Sequence, residues 1–433
     1  MKKIIFILAI IVAFSSCQKI NEFIDFKKHP DTPKADAAVA LDWFRLETRF
    51  MLANNTVITA AYLGYLGIGL YEAVRNETKN SVSLSTKLFQ MPQMPRIENA
   101  SYDWVLSANA AMASLLKTIN TGLTPANLAS IDSLENAYNQ QSTTPLGSDK
   151  FNRSQAFGRS IATAIYNWYL TDNYNGSNVG YIPPVFPGAW VPTPPAYANG
   201  INPFVGAARL FLASNASVVV PPPPYPYSET PGSDFYKMAK RVYDVNLSLT
   251  TEQKNIANFY VDQGNGIGYT PPGHDFNIVT QIILAKNVGL AVAAEVYAKA
   301  GIAERDAIIT VFKAKYTYNQ LRPVTYIRKL IDPTWLPFIP TPPHPEYPAA
   351  HAFDTGSVME AVSTVLGDEI DLTDHSYDFR GWAPRSFTSI FGVAEEAGIS
   401  RLYGGIHYLE SINTGLAIAR LVGGNVGDIK LQN

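Results

Sequence analysis

From Ala37 onward, apolar residues recur at alternating four- and three-residue intervals: Val39, Trp43, Leu46, Phe50, Ala53, Val57 and Ala60. This is the period of an amphipathic helix, not the strict alternation of a strand. The same period runs through 100–119, 126–138, 154–170, 233–245, 250–261, 278–300 and 302–318. Side-chain caps precede several of these runs, as at Thr124-Pro125 and at Thr250-Thr251-Glu252-Gln253. Further helices are predicted over 352–366, 393–402 and 406–421, and no sustained period-two pattern suggests a sheet. The expected fold class is all-α, a large helical bundle.

Proline placement sharpens this picture. Thirteen of the thirty prolines fall within 181–231 and seven within 332–350, so the helical stretches stay nearly free of them. The 181–231 segment also carries Trp190, Phe204, Phe211 and Tyr225, too apolar a set for a flexible spacer. It reads as a long ordered loop wrapped across the helices.

Composition excludes several functions. With 433 residues, 47% hydrophobic content and 16% charged content, the chain can bury a sizeable core. A net charge of −2 without basic blocks argues against nucleic acid as a partner. One cysteine excludes a disulfide framework and a cysteine-rich metal site. That cysteine closes a distinctive leader: Met1-Lys2-Lys3, an apolar run from Ile4 to Phe14, then Ser15-Ser16-Cys17. The run is too short to span a bilayer, which takes about 20 residues, and has the parts of a secretory signal. Cys17 after two small residues resembles the lipobox of bacterial lipoproteins, although position 14 is Phe where Leu is usual. The resemblance implies lipidation of Cys17 and an anchor in the cell envelope. Gln18 resembles the pattern that sorts to the outer membrane. The expected organisation is a signal peptide over 1–16, a tether over 17–36, an N-terminal helical region over 37–300, and a catalytic helical region over 301–433 forming one unit with it.

Candidate chemistry concentrates after residue 310, in three clusters. The first, Lys315-Tyr-Thr-Tyr-Asn-Gln-Leu-Arg322-Pro323, places two cations seven residues apart, on one face if the helix continues to Arg322. The second is Pro345-Glu346-Tyr347-Pro348-Ala349-Ala350-His351, where Pro348 suits the start of a helix and puts His351 in its first turn. Free amides at such an end favour anions. The third is Ser400-Arg401-Leu-Tyr-Gly404-Gly405-Ile-His407-Tyr-Leu-Glu410, in which a glycine pair separates two helical runs. Three cations, two imidazoles and two helix starts describe a pocket for a tetrahedral oxyanion.

The order Lys-x6-Arg-Pro, Pro-x-x-His, Ser-Arg-x5-His resembles the three-part signature of the vanadium haloperoxidase and type 2 phosphatidic acid phosphatase superfamily. The 187–195 stretch and Tyr269-Thr-Pro-Pro-Gly-His274, with the long helical region ahead of the first cluster, resemble the haloperoxidase branch. The resemblance implies roles residue by residue. Lys315, Arg322 and Arg401 neutralise the oxyanion, with the Ala350 backbone amide as a further donor. His407 is the axial group, either the nitrogen ligand of vanadium or the nucleophile of a phosphatase. His351 is the acid/base. Vanadate, or phosphate in the same site, is the implied cofactor, and hydrogen peroxide with halide, or a phosphate monoester, the implied substrates. Vanadium would act as a Lewis acid toward peroxide. Asp262 is expected to brace Arg401, and His344 to line the entrance with Phe312 as a wall.

Two positions depart from the family pattern. Ser-Gly-His is replaced by Ala349-Ala350-His351, and the Asp four residues after the last histidine is replaced by Ser411. Glu410 is the expected substitute for that Asp. Three readings stay open: a vanadate-dependent haloperoxidase, a phosphatase working through phospho-His407, and a lipid-anchored oxyanion-binding protein without turnover.

Overall fold

A computed structural model describes residues 37–432 except 55–59, 121, 219 and 263–267. The signal, Cys17 and the tether lie outside the described residues, as does Val57. The described chain is built of helices joined by irregular segments, with one small sheet.

Helices α1 (Ala38–Asn54) and α2 (Ala60–Val74) lead into α3 (Trp104–Ile119), α4 (Pro125–Leu146) and α5 (Ser148–Tyr169). The short α6 (Asn215–Val218) precedes α7 (Asp234–Leu247), α8 (Thr251–Phe259), α9 (Pro271–Lys286) and the 29-residue α10 (Leu290–Tyr318). The set ends with α11 (Pro323–Leu330), α12 (Ala350–Leu366), α13 (Ile390–Tyr403) and α14 (Leu409–Gly427). The expected caps are present: Thr124 accepts from the Asn127 amide, and Thr250 with Gln253 forms a reciprocal capping box.

Helix α10 is the spine. It packs against α2 on one side and α12 on another, and α12 in turn packs against α13 and α14. The α2–α10 crossing is close because glycine meets glycine: a Cβ on Gly301 would lie 2.7 Å from the Cα of Gly64. Even its charged run is buried. Asp306 accepts from the amides of Phe211 (2.7 Å) and Leu212 (2.9 Å) and from Asn215 Nδ2 (2.9 Å). Arg305 meets Asp172, beyond the end of α5, at 2.6 Å. Buried groups of this kind persist only when paired, and here the pairing ties the proline-rich loop to the spine.

That loop is ordered, as its apolar content implied. Trp190, Val205 and Phe211 are fully buried. Its backbone joins the end of α10 through Trp190 N–H to the Asn319 carbonyl and Leu321 N–H to the Gly188 carbonyl. Tyr318, Tyr347 and Tyr326 donate to the carbonyls of Pro221, Pro222 and Ser228. Carbonyls in a segment without regular secondary structure take such donors from side chains instead of a ladder.

Three sequence expectations give way. The division between 278–300 and 302–318 is absent; the break falls at Asn287, whose φ of 53° terminates α9. Asn tolerates the left-handed region better than most residues. Helix α10 stops at Tyr318, where the 302–318 period ends, with Asn319 also left-handed, and does not continue to Arg322. Lys315 and Arg322 therefore do not share one helix face; Arg322 caps the start of α11 instead. Finally, Glu369–Asp374 and Arg385–Ser389 form an antiparallel pair, β1 and β2. The alternating burial along β1 rests on Ile370, Leu372 and Asp374, too few apolar positions to announce a strand.

Candidate active site

The three clusters converge beside the C-terminal end of α10 and the N-termini of α12 and α14. Lys315, Arg322, His407 and Glu346 are at most 3% exposed, and Arg401 is 2% exposed.

Lys315 Nζ donates to three backbone carbonyls, those of Pro345 (3.1 Å), Glu346 (2.8 Å) and Pro348 (2.5 Å). Burial and Arg322 push its pKa well down, while three acceptors match the three donors of an ammonium. Its first role is thus to fold the 345–348 segment, which carries Glu346 and leads to His351. Direct contact with an anion requires release of one carbonyl.

Arg322 donates from Nε to the His344 carbonyl (2.9 Å) and from Nη1 to the Ile406 carbonyl (2.9 Å). Nη1 also lies 3.0 Å from His407 Nε2, and Nη2 lies 3.1 Å from His344 Nδ1. His344 is therefore buried against Arg322, with Phe312 at 5.4 Å between ring centroids, and does not line an entrance. Arg401 donates from Nε to Ser400 Oγ (2.9 Å) and from Nη2 to the Tyr260 carbonyl. Burial lowers both guanidiniums to about 10, so both stay cationic at neutral pH.

His407 sits two residues before α14, past the Gly404-Gly405 corner. Its Nδ1 lies 2.7 Å from Glu346 Oε1, which also accepts from the Tyr408 amide (3.1 Å); Gln320 Nε2 donates to Oε2 at 2.8 Å. Arg322 has only N–H to offer, so the network assigns the proton of His407 to Nδ1 and a lone pair to Nε2. Burial, then Arg322 and Lys315, hold this imidazole well below its ordinary pKa, which keeps it neutral.

The orienting carboxylate was expected from Glu410. It comes from Glu346, 61 residues away in sequence. Glu410 turns outward and pairs with Arg241 at 2.7 Å, because the helical offset from Ser411 carries it off the site. Ser411 is buried, and its carbonyl accepts from the Ala349 amide at 3.3 Å.

His351 is the second residue of α12, as the sequence implied, and Ala350 is the first. Ala349, at the cap, supplies no side-chain acceptor to the opening amides. His351 Nε2 lies 3.2 Å from Asp262 Oδ2. Asp262 thus serves His351, while Arg401 is held by the carbonyl of Tyr260, two residues earlier. Burial and Arg401 lower His351 to about 4, so it is neutral in the folded protein at physiological pH.

Three buried cations are held by carbonyls, a hydroxyl and imidazole nitrogens, and none of those contacts is a carboxylate. Glu346 lies close enough to Lys315 and Arg322, and Asp262 and Asp354 to Arg401, to offset part of their charge, but none of them takes up the cations' N–H groups directly. With Nε2 of His407 among them, the donor set fits vanadate or phosphate. A cavity of about 630 Å³ lies elsewhere, between residues 206–221 and the Ile309–Tyr318 side of α10, and of the three clusters only Thr317 and Tyr318 of the first line it.

Comparison with known proteins decides the family. A solved structure described as the first bacterial vanadium-dependent iodoperoxidase is 30% identical, with a TM-score of 0.79, over 92% of this chain and 97% of that one. The chain belongs to the vanadium haloperoxidase family. The family model described as the VCPO second helical-bundle domain matches residues 295–432. Holo-type and apo-type bacterial vanadium-dependent chloroperoxidases share the fold at TM-scores of 0.65 and 0.63, with 14% and 16% identity. They cover 86% and 87% of this chain and each is covered over 93% of its own length. No curated protein matches the chain.

Proposed function

We propose that this haloperoxidase-family chain is a vanadate-dependent enzyme that oxidises halide with hydrogen peroxide. The observation that carries the reading is His407: a buried neutral imidazole, its Nδ1–H given to Glu346, its Nε2 lone pair facing the buried Arg322 guanidinium. A carboxylate behind a ligating histidine fixes its tautomer and raises its basicity. His407 Nε2 would ligate vanadate, and Arg322, Arg401 and the opening amides of α12 would hold its oxygens, with Lys315 adding charge behind them. The bound group supplies Lewis acidity toward peroxide.

The chain's own residues do the rest. Arg322 exchanges its contact with Nε2 for contacts with the anion. Charge-assisted hydrogen bonds of this kind are roughly twice as strong as neutral ones. His351, neutral and next to Arg401, accepts and returns a proton. Ala349 and Ala350 remove a hydroxyl donor, which weakens the hold by about 1–3 kcal/mol if nothing replaces it.

One preparation tests the reading against its rivals. Iodide and bromide oxidation that requires vanadate loading and disappears in His407→Ala supports it. Aryl-phosphate hydrolysis without vanadium, inhibited by vanadate, favours the phosphatase. Anion binding without either activity favours a binding protein. We place the mature protein on the bacterial envelope, probed by incorporation of labelled fatty acid that Cys17→Ser abolishes. Among the described residues no helix is long and apolar enough to cross a membrane.

A further inference from the structure

Behind His351 lies a second set of titratable groups that the halide-oxidation reading does not use. Asp262 Oδ2 faces His351 Nε2 at 3.2 Å, and Oδ1 of the same carboxylate faces His274 Nδ1 at 3.0 Å. Tyr377 donates its hydroxyl to Oδ1 at 2.7 Å. On the far side, His274 Nε2 lies 3.5 Å from Asp374 Oδ2. Asp374 Oδ1 accepts from the Ser376 amide (2.8 Å), from Gln281 Nε2 (2.9 Å) and from the Ser376 hydroxyl. Imidazole, carboxylate, imidazole and carboxylate alternate in one line.

The line is dry except at one end. Side-chain exposure is 2% or less for Asp262, His274 and Asp374, and 13% for His351. The rings of Tyr377, Tyr260, Phe259 and Tyr269 surround His274 at 5.1, 5.4, 5.6 and 6.0 Å. Aromatic faces favour a cation, and so do two flanking carboxylates. Asp262 itself sits at a φ of 45°, an uncommon conformation that aims its carboxylate between the two imidazoles.

We propose that Asp262, His274 and Asp374 form a charged relay in which His274 is a cationic positioning residue for His351. Asp262 fixes His351 as the Nε2–H tautomer, which leaves Nδ1, without a partner among the described residues, to take a proton and give it back. His274 sets how strongly Asp262 pulls on that proton. While His274 is cationic, Asp262 is neutralised in part, and the imidazolium of His351 releases its proton readily. Without the cation, two carboxylates act unopposed and His351 holds the proton more tightly. Burial alone would lower His274, but Asp262 and Asp374 outweigh it and raise the pKa to about 10. The other titratable groups facing this line are Arg401 from α13, Asp275 from α9, Asp354 from α12, and the hydroxyls of Tyr260, Tyr269 and Tyr377.

The role in turnover rests on the haloperoxidase reading, but the charge state does not. The test is therefore made first on vanadate-free protein labelled with ¹⁵N at histidine, by two-bond ¹H–¹⁵N spectra from pH 4 to 10. In the wild type His274 stays doubly protonated beyond pH 8, and His351 shows the Nε2–H tautomer through the neutral range. His274→Gln raises the midpoint of His351 by about one unit, a tenfold change in its protonation equilibrium. The acid limb of the halide-oxidation profile moves by the same amount, a shift that a purely structural lesion would not give. Should His274→Gln fail to fold, Asp374→Asn serves: it removes the outer carboxylate and lowers the His274 midpoint by about a unit. A wild-type His274 titrating near 6.5 overturns the proposal, as does a His351 midpoint unmoved in His274→Gln or a His274 midpoint unmoved in Asp374→Asn. Absence of halide oxidation in wild-type protein with the predicted spectra would instead count against the reading of function.

Discussion

Glu346 is the residue on which the hold over His407 most depends. The substitution Glu346→Gln keeps its shape and removes its charge. One oxygen can still accept from His407 Nδ1 and the Tyr408 amide, now 2.7 and 3.1 Å from Oε1. The new amide group then faces Gln320 Nε2, 2.8 Å from Oε2, donor against donor, until Gln320 turns its own amide over. The loss is the difference between charge-assisted and neutral hydrogen bonds, about 1–2 kcal/mol across the cluster. Carboxylates behind ligating histidines typically cost 10–100-fold in affinity when removed. The expected result is a vanadate concentration for half-maximal halide oxidation raised about 10–100-fold, with the denaturation midpoint in urea lowered only slightly. Glu346→Ala goes further, because it leaves three donors without their acceptor in a fully buried place. It lowers unfolding free energy by about 3–5 kcal/mol. Vanadate dependence unchanged in Glu346→Gln would refute the assignment of Glu346 as the group that orients His407.

Other consequences are as direct. Arg322→Ala strips two buried carbonyls of their donor and removes a cation from the anion site; urea denaturation should show a loss of about 3–5 kcal/mol, and vanadate binding should disappear. Gly405 has a φ of 77°, and a Cβ there would lie 2.6 Å from Asn246 Oδ1, which belongs to the side chain that donates to the Leu402 and Tyr403 carbonyls. Gly405→Ala should lower stability by about 1–3 kcal/mol and weaken vanadate binding as His407 shifts. His351 binds its proton less readily folded, at about 4, than unfolded, near 6.5. The unfolded chain therefore takes up more protons between those values, and this group's contribution to stability is lost as pH falls from about 6.5 to 4. Urea midpoints measured across that window should fall less steeply in His351→Gln than in the wild type.

The helices and the three clusters were legible because both are short-range patterns. A 3.6-residue period needs only a dozen neighbouring positions, and each cluster lies within a single turn or corner. Partnerships across the fold were not legible. Glu346 stood in plain view between Pro345 and Tyr347, but nothing local ties it to His407. The sequence offered Glu410 for that task by proximity, and helical phase sends Glu410 to Arg241 instead. His274 belonged to a stretch noted for its prolines, and its meeting with Asp262 depends on a left-handed residue that no propensity announces. The same holds for Lys315, whose partners lie 30 to 33 residues on and are backbone carbonyls, which every residue possesses. The ends of α9 and α10 share one cause: Asn287 and Asn319 each adopt the left-handed conformation, which asparagine permits without requiring.

Everything proposed for turnover depends on His407 and the cations around it forming a vanadate site. Diffraction from crystals soaked in vanadate tests it most directly. Anion density is expected at bonding distance from His407 Nε2, flanked by Arg322 and Arg401, with Glu346 still on Nδ1 and no such density in His407→Ala. Density elsewhere on the molecule, or an anion seated equally well without His407, would contradict it.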